Sequence, residues 1–353
     1  MSGIAPRWEI AIEGQDVSRD ISGDVMSLSF EDHASDTDMV SLRLANPDNR
    51  WTDSSLFDPA NVLELSLGYG ASLVKVFKGP IVRPELSFPE DGVPALTLRA
   101  YDLSHRFRKE KDEKVKTWRE VTDSQIARKV ATRNGFKAGD LDIEETDRVI
   151  PYVAQGKETD WEFLKRRAER IGFEVYVERD GFHFHPPRDA VTALPGVLEY
   201  RRNLRSFEPR LTTEKQVTKV VVRGWDPGNK APIVAVATGR DTVRTLLGEK
   251  AASEFVKDDF GDNVKVLHDL VPRTVKEAEE LARAYLKKKE YTLIEATGSC
   301  IGDTDLRAKR LIEIAGVGKR YSGSYYVSRV THTLDDGGYL CEFECQRNAV
   351  DWE

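Results

Sequence analysis

Cysteine is scarce here, three in 353 residues, and the number is odd. Cys341 and Cys345 stand four strand positions apart, about 13 Å at the usual rise per residue. That is too far for a mutual disulfide or a shared metal, so the thiols read as buried apolar groups in a reducing compartment. Long apolar runs are also missing, and nothing approaches the roughly 20 residues a membrane helix needs. The opening MSGIAPRWEI has neither the basic segment nor the apolar core of a signal peptide. The expectation is a protein that stays in the cytoplasm or leaves it as part of an assembly. Basic excess is absent too: 53 Lys and Arg against 60 Asp and Glu give a net charge of −7. This argues against broad phosphate-backbone binding, so no nucleic-acid partner is expected.

Catalytic signatures are equally wanting. The chain has no HExxH, no G-x-S-x-G, no P-loop, and no cysteine with a histidine partner in a helix-led context. Asp and Glu are plentiful, but a pair suited to glycoside hydrolysis needs an organised cleft, and no segment is left over to form one. No catalytic residue, cofactor or metal is expected. The alternatives weighed against the reading below are a cell-wall-degrading enzyme of glycoside hydrolase type and a stand-alone carbohydrate-binding β protein.

What is present suits a globular protein of two or three domains: 40% hydrophobic and 32% charged residues over 353 positions. The first domain, 1–111, reads as short strands between polar turns. Met26, Leu28 and Phe30 alternate with polar residues, as do Val40, Leu42 and Leu44 after SDTD, and Leu63, Leu65 and Leu67 before Gly68 and Gly70. A strand from Ile81, a turn at Asp91 and Gly92, and a strand with Leu96, Leu98 and Ala100 on one face follow. Even spacing without a helical period indicates a sandwich or barrel.

Over residues 112–200 the period changes to about 3.6. Thr122 with Gln125 and Thr159 with Glu162 are capping boxes, each opening an apolar stripe, with stops at Gly135 and Gly172. A hairpin turned by Asp180 and Gly181 completes a small α+β module. His183 and His185 share a strand face and could, with Glu174 or Glu178, hold a metal; the structural reading of these side chains is preferred. The basic run Lys165, Arg166, Arg167 and Arg170 reads as the solvated face of a helix.

The third domain, 201–353, begins with a strand over 217–225 whose dense apolar residues suggest burial on both faces. An insertion over about 226–272 carries extended pieces at 233–237 and 264–267 around a short helix. Thr274 with Glu277 opens a third capping box and a helix of about four turns. Residues 302–347 then form three antiparallel strands, with Tyr339, Cys341, Phe343 and Cys345 on one face.

These last strands repeat the first domain. LELSLGYG at 63–70 corresponds to LIEIAGVG at 311–318, and Phe77-Lys78-Gly79 to Tyr321-Ser322-Gly323. Ile81 and Val82 then match Tyr326 and Val327, and the turn at Asp91 and Gly92 matches that at Asp336 and Gly337. The expected fold is mainly β with an α+β insertion: two similar tube-like antiparallel β-barrels per chain plus the small module. Three such chains would present six barrels in a quasi-sixfold ring, suited to joining a threefold object to a sixfold one.

The hairpin GDVMSLSFEDHASDTDMVSLRLAN, the LELSLGYG to FKG segment, ETDWEFLKRRAERIGFEVYVERDGFHF and GVGKRYSGSYYVSRVTHTL resemble the phage late control protein D family in their order along the chain. That family comprises baseplate hubs of contractile tails and the hub half of type VI secretion spike proteins. The resemblance implies a homotrimer, a pseudo-hexameric ring on which the sixfold inner tube polymerises, and contact with other baseplate proteins. It also implies a tail-baseplate or injection-particle location. Type VI spike proteins carry an oligonucleotide-fold stalk and a β-helix needle that are missing before Glu353, so a separate trimeric spike protein is expected. Tyr321, Ser322, Gly323, Tyr325 and Tyr326 are the expected interface residues that help close the ring.

Overall fold

A computed structural model describes residues 5–109, 115–187, 193–242, 248–268 and 272–351, without the side chains of 193–195. The first region supplies β1 (Pro6–Ile12), β2 (Val25–His33), β3 (Met39–Ala45), β4 (Val62–Tyr69), β5 (Ser72–Ser87) and β6 (Ala95–Tyr101). Leu28, Phe30, Val40, Leu42, Leu63, Leu65 and Leu98 are buried while their neighbours along each strand are less so, the period of two that puts one sheet face on a core.

The middle module comprises β7 (Lys116–Val121), α1 (Asp123–Arg133), β8 (Leu141–Ile143), β9 (Ile150–Gln155), α2 (Asp160–Ile171), β10 (Glu174–Glu178) and β11 (Gly181–His185). Both expected capping boxes close reciprocally, and Gly172 ends α2 in the left-handed region at φ 70°. Its core joins Ile126 and Val130 of α1 to Trp161 and Leu164 of α2 and to Val175, Phe182 and Phe184 of the hairpin. Leu103 and Phe107 belong to this core as well, so the module begins before residue 112.

After β12 (Ala193–Glu199) and β13 (Leu204–Leu211) the chain leaves the main sheet for a separate lobe. The lobe holds β14 (Lys219–Asp226), β15 (Ala231–Thr238), β16 (Val264–Leu267) and α4 (Val275–Glu290), whereas α3 (Ala252–Phe260), between β15 and β16 in the chain, packs Ala252 and Val256 into the core of the main sheet. Val220, Val222 and Ile233 pack against Leu281 and Leu286 of α4. One face of β14 is buried and the other is not, which corrects the expectation of burial on both faces. The third capping box is only half formed: Thr274 accepts the Glu277 N–H, while Glu277 Oε2 accepts from Arg273 N at 3.0 Å. The chain then returns through β17 (Ile294–Ile301), β18 (Leu311–Ala315), β19 (Gly323–Asp335) and β20 (Gly338–Arg347).

One sheet of 13 strands runs β13-β17-β20-β19-β2-β3-β6-β5-β4-β1 and on to the short strand Gln15–Asp16, with β18 beside β19 and β12 beside β18. A single apolar core lies beneath it, from Ile10 through Val350. The two copies are therefore segments of one sheet over one core. They are not two separately closed barrels: among the described residues no ladder joins β1 to β2 across the ends of the first copy.

The repeat itself extends strand for strand. In chain order β1, β2, β3, β4, β5 and β6 answer to β12, β13, β17, β18, β19 and β20. In the sheet, β1-β4-β5-β6-β3-β2 answers to β12-β18-β19-β20-β17-β13. Bulges coincide as well: Met26 in β2 matches Arg205 in β13, and Val82 in β5 matches Ser328 in β19. A bulge is a local insertion that bends a strand, so its recurrence fixes the register. The copies differ at one edge, where β1 runs antiparallel to β4 but β12 runs parallel to β18.

This register corrects the alignment read from sequence by one residue. Leu63 and Leu65 face Gly79 and Phe77 across the ladder, as Ile312 and Ile314 face Tyr325 and Gly323. Leu63 thus matches Ile312 rather than Leu311, and both are buried. In the same register Ile81 matches Val327 rather than Tyr326, again a slip of one residue, which in a strand exchanges the buried and open faces, and Gly79 matches Tyr325, two positions beyond Gly323.

Candidate functional site

The copies meet where β2 pairs with the second half of β19, from Arg329 opposite His33 to Leu334 opposite Leu28. Phe30 stacks on His332 with ring centroids 5.5 Å apart. His332 Nδ1 lies 2.8 Å from the Tyr339 hydroxyl and 3.2 Å from Cys341 Sγ. All three cysteines are buried and free.

On the buried face of β2 the series Leu28, Phe30 continues with Asp32, a carboxylate with no solvent exposure. Such a group needs charged or hydrogen-bonded partners. Arg307 and Lys309, from the loop before β18, provide them: Arg307 Nε lies 2.5 Å and Ala308 N 3.1 Å from Asp32 Oδ2, and Lys309 Nζ lies 3.0 Å from Oδ1. Lys309 also donates to His33 O at 2.7 Å and sits 4.9 Å from the Tyr176 ring centroid. Arg307 reaches Glu178 of the middle module at 3.8 Å. Burial would raise the Asp32 pKa, but Arg307 and Lys309 outweigh it and hold the group below the ordinary carboxylate range. Both copies and the module therefore share one buried ionic cluster.

Residues 321–326 span the turn into β19 and its first residues and are tied into the chain. Tyr325 is fully buried, edge-on to Phe207 at 5.5 Å, and its hydroxyl donates to Tyr321 O at 2.8 Å. Arg347 Nη1 donates to Ser322 O at 2.9 Å. A side chain at Gly323, where φ is 129°, would meet that guanidinium at 3.0 Å. Tyr321, Ser322, Gly323 and Tyr326 are half-buried, and the Tyr326 hydroxyl donates to Glu174 Oε1 at 2.5 Å. The turn thus braces the second copy against the middle module.

The face of β10 and β11 that carries His183 and His185 gathers a third strand. Asp142 of β8 pairs in register with His183, and its Oδ2 lies 3.0 Å from His183 Nδ1 and 3.9 Å from His185 Nε2. Those three side chains could hold a metal ion. Glu174 and Glu178, the carboxylates expected there from sequence, point instead to Tyr326 and to Arg307. His185 Nδ1 is 2.7 Å from Pro186 O and its Nε2 3.2 Å from the Tyr176 hydroxyl. His183 stacks on Tyr176 at 4.5 Å. Burial lowers the His183 pKa, a shift that Asp142 only partly opposes.

The basic helix face is less solvated than expected. Arg167 is buried and pairs with Asp123 of α1 at 2.6 Å, while Arg170 reaches Glu277 of α4 at 2.9 Å. These contacts, with Arg148 Nη1 at 3.0 Å from Glu277, fasten the module to the lobe.

Opposite the core, the sheet presents Ser206, Glu208, Thr297, Ser299, Thr331, Glu342 and Glu344 as a shallow polar face. No helix among the described residues is long and apolar enough to cross a membrane. The family model described as the Alg8 N-terminal domain matches residues 5–336. The chain belongs to that family.

Two curated relatives carry the name that the late control protein D resemblance led us to expect. The chain is 23% identical over its whole length to the probable baseplate hub protein of Escherichia phage 186, covering 95% of that protein. It is 27% identical over 54% of its length to the probable baseplate hub protein of Escherichia phage P2, covering 48% of that one. Among solved structures, the 43 kDa tail protein of prophage MuSo2 from Shewanella oneidensis superposes with a TM-score of 0.71. That match spans 98% of this chain and 100% of the other at 13% identity, which is a likeness of fold.

Proposed function

We propose that this family member is a structural baseplate hub protein of a contractile phage tail or a tail-like injection particle. Three copies form a pseudo-hexameric ring that joins a separate trimeric spike protein to the sixfold inner tube, in contact with other baseplate proteins. The observation that carries this reading is the strand-for-strand repeat with coincident bulges. A chain holding two equivalent sheet segments gives six of them per trimer, the number needed to match a sixfold tube onto a threefold spike. The names of the phage 186 and P2 relatives support the same assignment.

In this reading the residue blocks serve different parts. The β copies, within 1–111 and 201–353, build the ring, and the middle module, about 112–200, buttresses it from one side. The turn with Tyr321, Ser322, Gly323, Tyr325 and Tyr326 stiffens the second copy where the ring closes. The chain catalyses no reaction and takes no cofactor. It is made in the bacterial cytoplasm and carried in the baseplate of the finished particle.

The test is the mass of the purified protein in solution, alone and with cognate tube or spike protein. A trimer, or association into one on adding either partner, is expected. A strictly monomeric chain that binds neither, or release of sugars from peptidoglycan, would overturn the assignment.

A further inference from the structure

The joint between β2 and β19 uses one end strand of the first copy and one long strand of the second. Its counterparts in the repeat are β13, the end strand of the second copy, and β5, the long strand of the first. Among the described residues neither counterpart edge carries a ladder: β13 ends the sheet, and the second half of β5 pairs only with β6. We infer that β13 of one chain pairs antiparallel with the second half of β5 in the next copy of the same chain, repeating between chains the joint already present within one. This rests on the ring reading and names the surfaces that close it.

Exposure separates the covered joint from its open counterpart. At the internal joint His332 and Leu334 are 0% and 7% exposed. Their equivalents at the open edge, Leu86 and Phe88, are 43% and 59% exposed. Two large apolar residues on a strand edge mark a pairing site. On the other strand, Leu28 and Phe30 are 1% and 0% exposed, whereas their equivalents Phe207 and Pro209 are only half-buried. Each open edge keeps the apolar pattern of a strand that has a neighbour.

The shared bulges set the register. Arg329 opposite His33 becomes Arg83 opposite Thr212, and Thr331 opposite Glu31 becomes Glu85 opposite Arg210. The last pair is of opposite charge directly across the joint, a favourable cross-strand pairing. Glu85 lies 2.5 Å from Arg83 and 3.7 Å from Arg99 of its own chain, and Arg210 lies beside Glu208 and Glu295, so the pairing would join two mixed-charge clusters.

Proline limits what else these edges accept. Thr212 N donates to Leu293 O of the β17 side, so Pro209, three residues earlier, turns its nitrogen to the open edge. Pro84, the equivalent of Val330, lies directly across from Leu211 in this register. Missing donors thin the ladder and discourage indiscriminate pairing, leaving side-chain burial and the Glu85 to Arg210 match to select the partner.

Cysteine cross-linking of the full chain tests the register. Full-length Glu85→Cys and Arg210→Cys proteins, mixed and oxidised mildly, are expected to form a disulfide-linked dimer. Ser87→Cys mixed with Arg210→Cys should give at least tenfold less. In parallel, Leu86→Asp with Phe88→Asp, at exposed positions, should weaken self-association at least tenfold with the melting temperature of the monomer unchanged. A ring of the expected mass that neither cross-links nor responds to these substitutions overturns the edge pairing and leaves the hub assignment standing. A chain that stays monomeric even with tube and spike proteins present defeats both.

Discussion

Lys309 Nζ lies 3.0 Å from Asp32 Oδ1, and the two belong to different copies of the repeat, 277 positions apart. With Arg307 this is the ionic centre of the joint, in which Asp32 and Arg307 are buried. Removing one member of a buried ion pair leaves the others without compensation, which costs about 3–5 kcal/mol. Asp32→Asn should therefore lower the stability of the chain by that amount in urea denaturation. The loss should vanish as pH falls through the range below the ordinary Asp pKa, because a carboxylate held low contributes stability only while it is ionised in the native state.

Glu290 shifts in the opposite direction. It closes α4 in full burial, its Oε1 2.6 Å from the Ser253 hydroxyl, and burial raises its pKa to about 7. A carboxyl that keeps its proton in the folded chain longer than in the unfolded one favours folding at low pH. That advantage is lost as pH rises from about 4.5 through 7. Glu290→Gln should remove this slope, leaving the variant more stable than the parent at pH 8 by on the order of 3 kcal/mol and indistinguishable at pH 4. Melting curves across that range measure it.

Gly79 sits where β5 crosses the end of β6, and a Cβ there would lie 1.9 Å from Tyr101 O. The contact is with backbone, which cannot rotate aside. Gly79→Ala should destabilise the chain by about 1–3 kcal/mol or more, whereas Gly139→Ala, with nothing within 4 Å, should leave its stability unchanged. Paired chemical melts compare them.

Tyr326→Phe deletes the hydroxyl that donates to Glu174 at 2.5 Å. A hydrogen bond to a charged group is worth about 1.5–3 kcal/mol, and this one spans the second copy and the middle module. The variant should show faster amide exchange in the 174–185 hairpin with little change in β20.

The parts of this fold that were legible in sequence are those whose signals are local. Thr122 with Gln125 and Thr159 with Glu162 announced their helices because a capping box is complete within four residues. Asp180 and Gly181 announced a hairpin for the same reason. Parallel pairs such as β8 with β11 and β12 with β18 left no such mark, since partners 40 or more positions apart share no turn. Glycine spacing was a poor guide to register, and the alternation of Leu63 and Leu65 against Ile312 and Ile314 would have been a better one. Asp32 was also readable: it follows Leu28 and Phe30 on the same strand face, and a carboxylate in an apolar series asks for a buried cation. What sequence could not supply was the cation's address, on a loop more than 270 positions away.

The lobe between Leu211 and Ile294 stands where the first copy has only the short link from His33 to Met39. Every assembly of this chain therefore alternates, position by position, between a bare turn and a folded lobe. A partner that touches the sheet segments meets repeats equivalent in strand order and can follow their count. One that approaches along the turn side finds a landmark only once per chain. The same ring can thus be read in two different periods, and which period a neighbour reads depends on the side from which it binds.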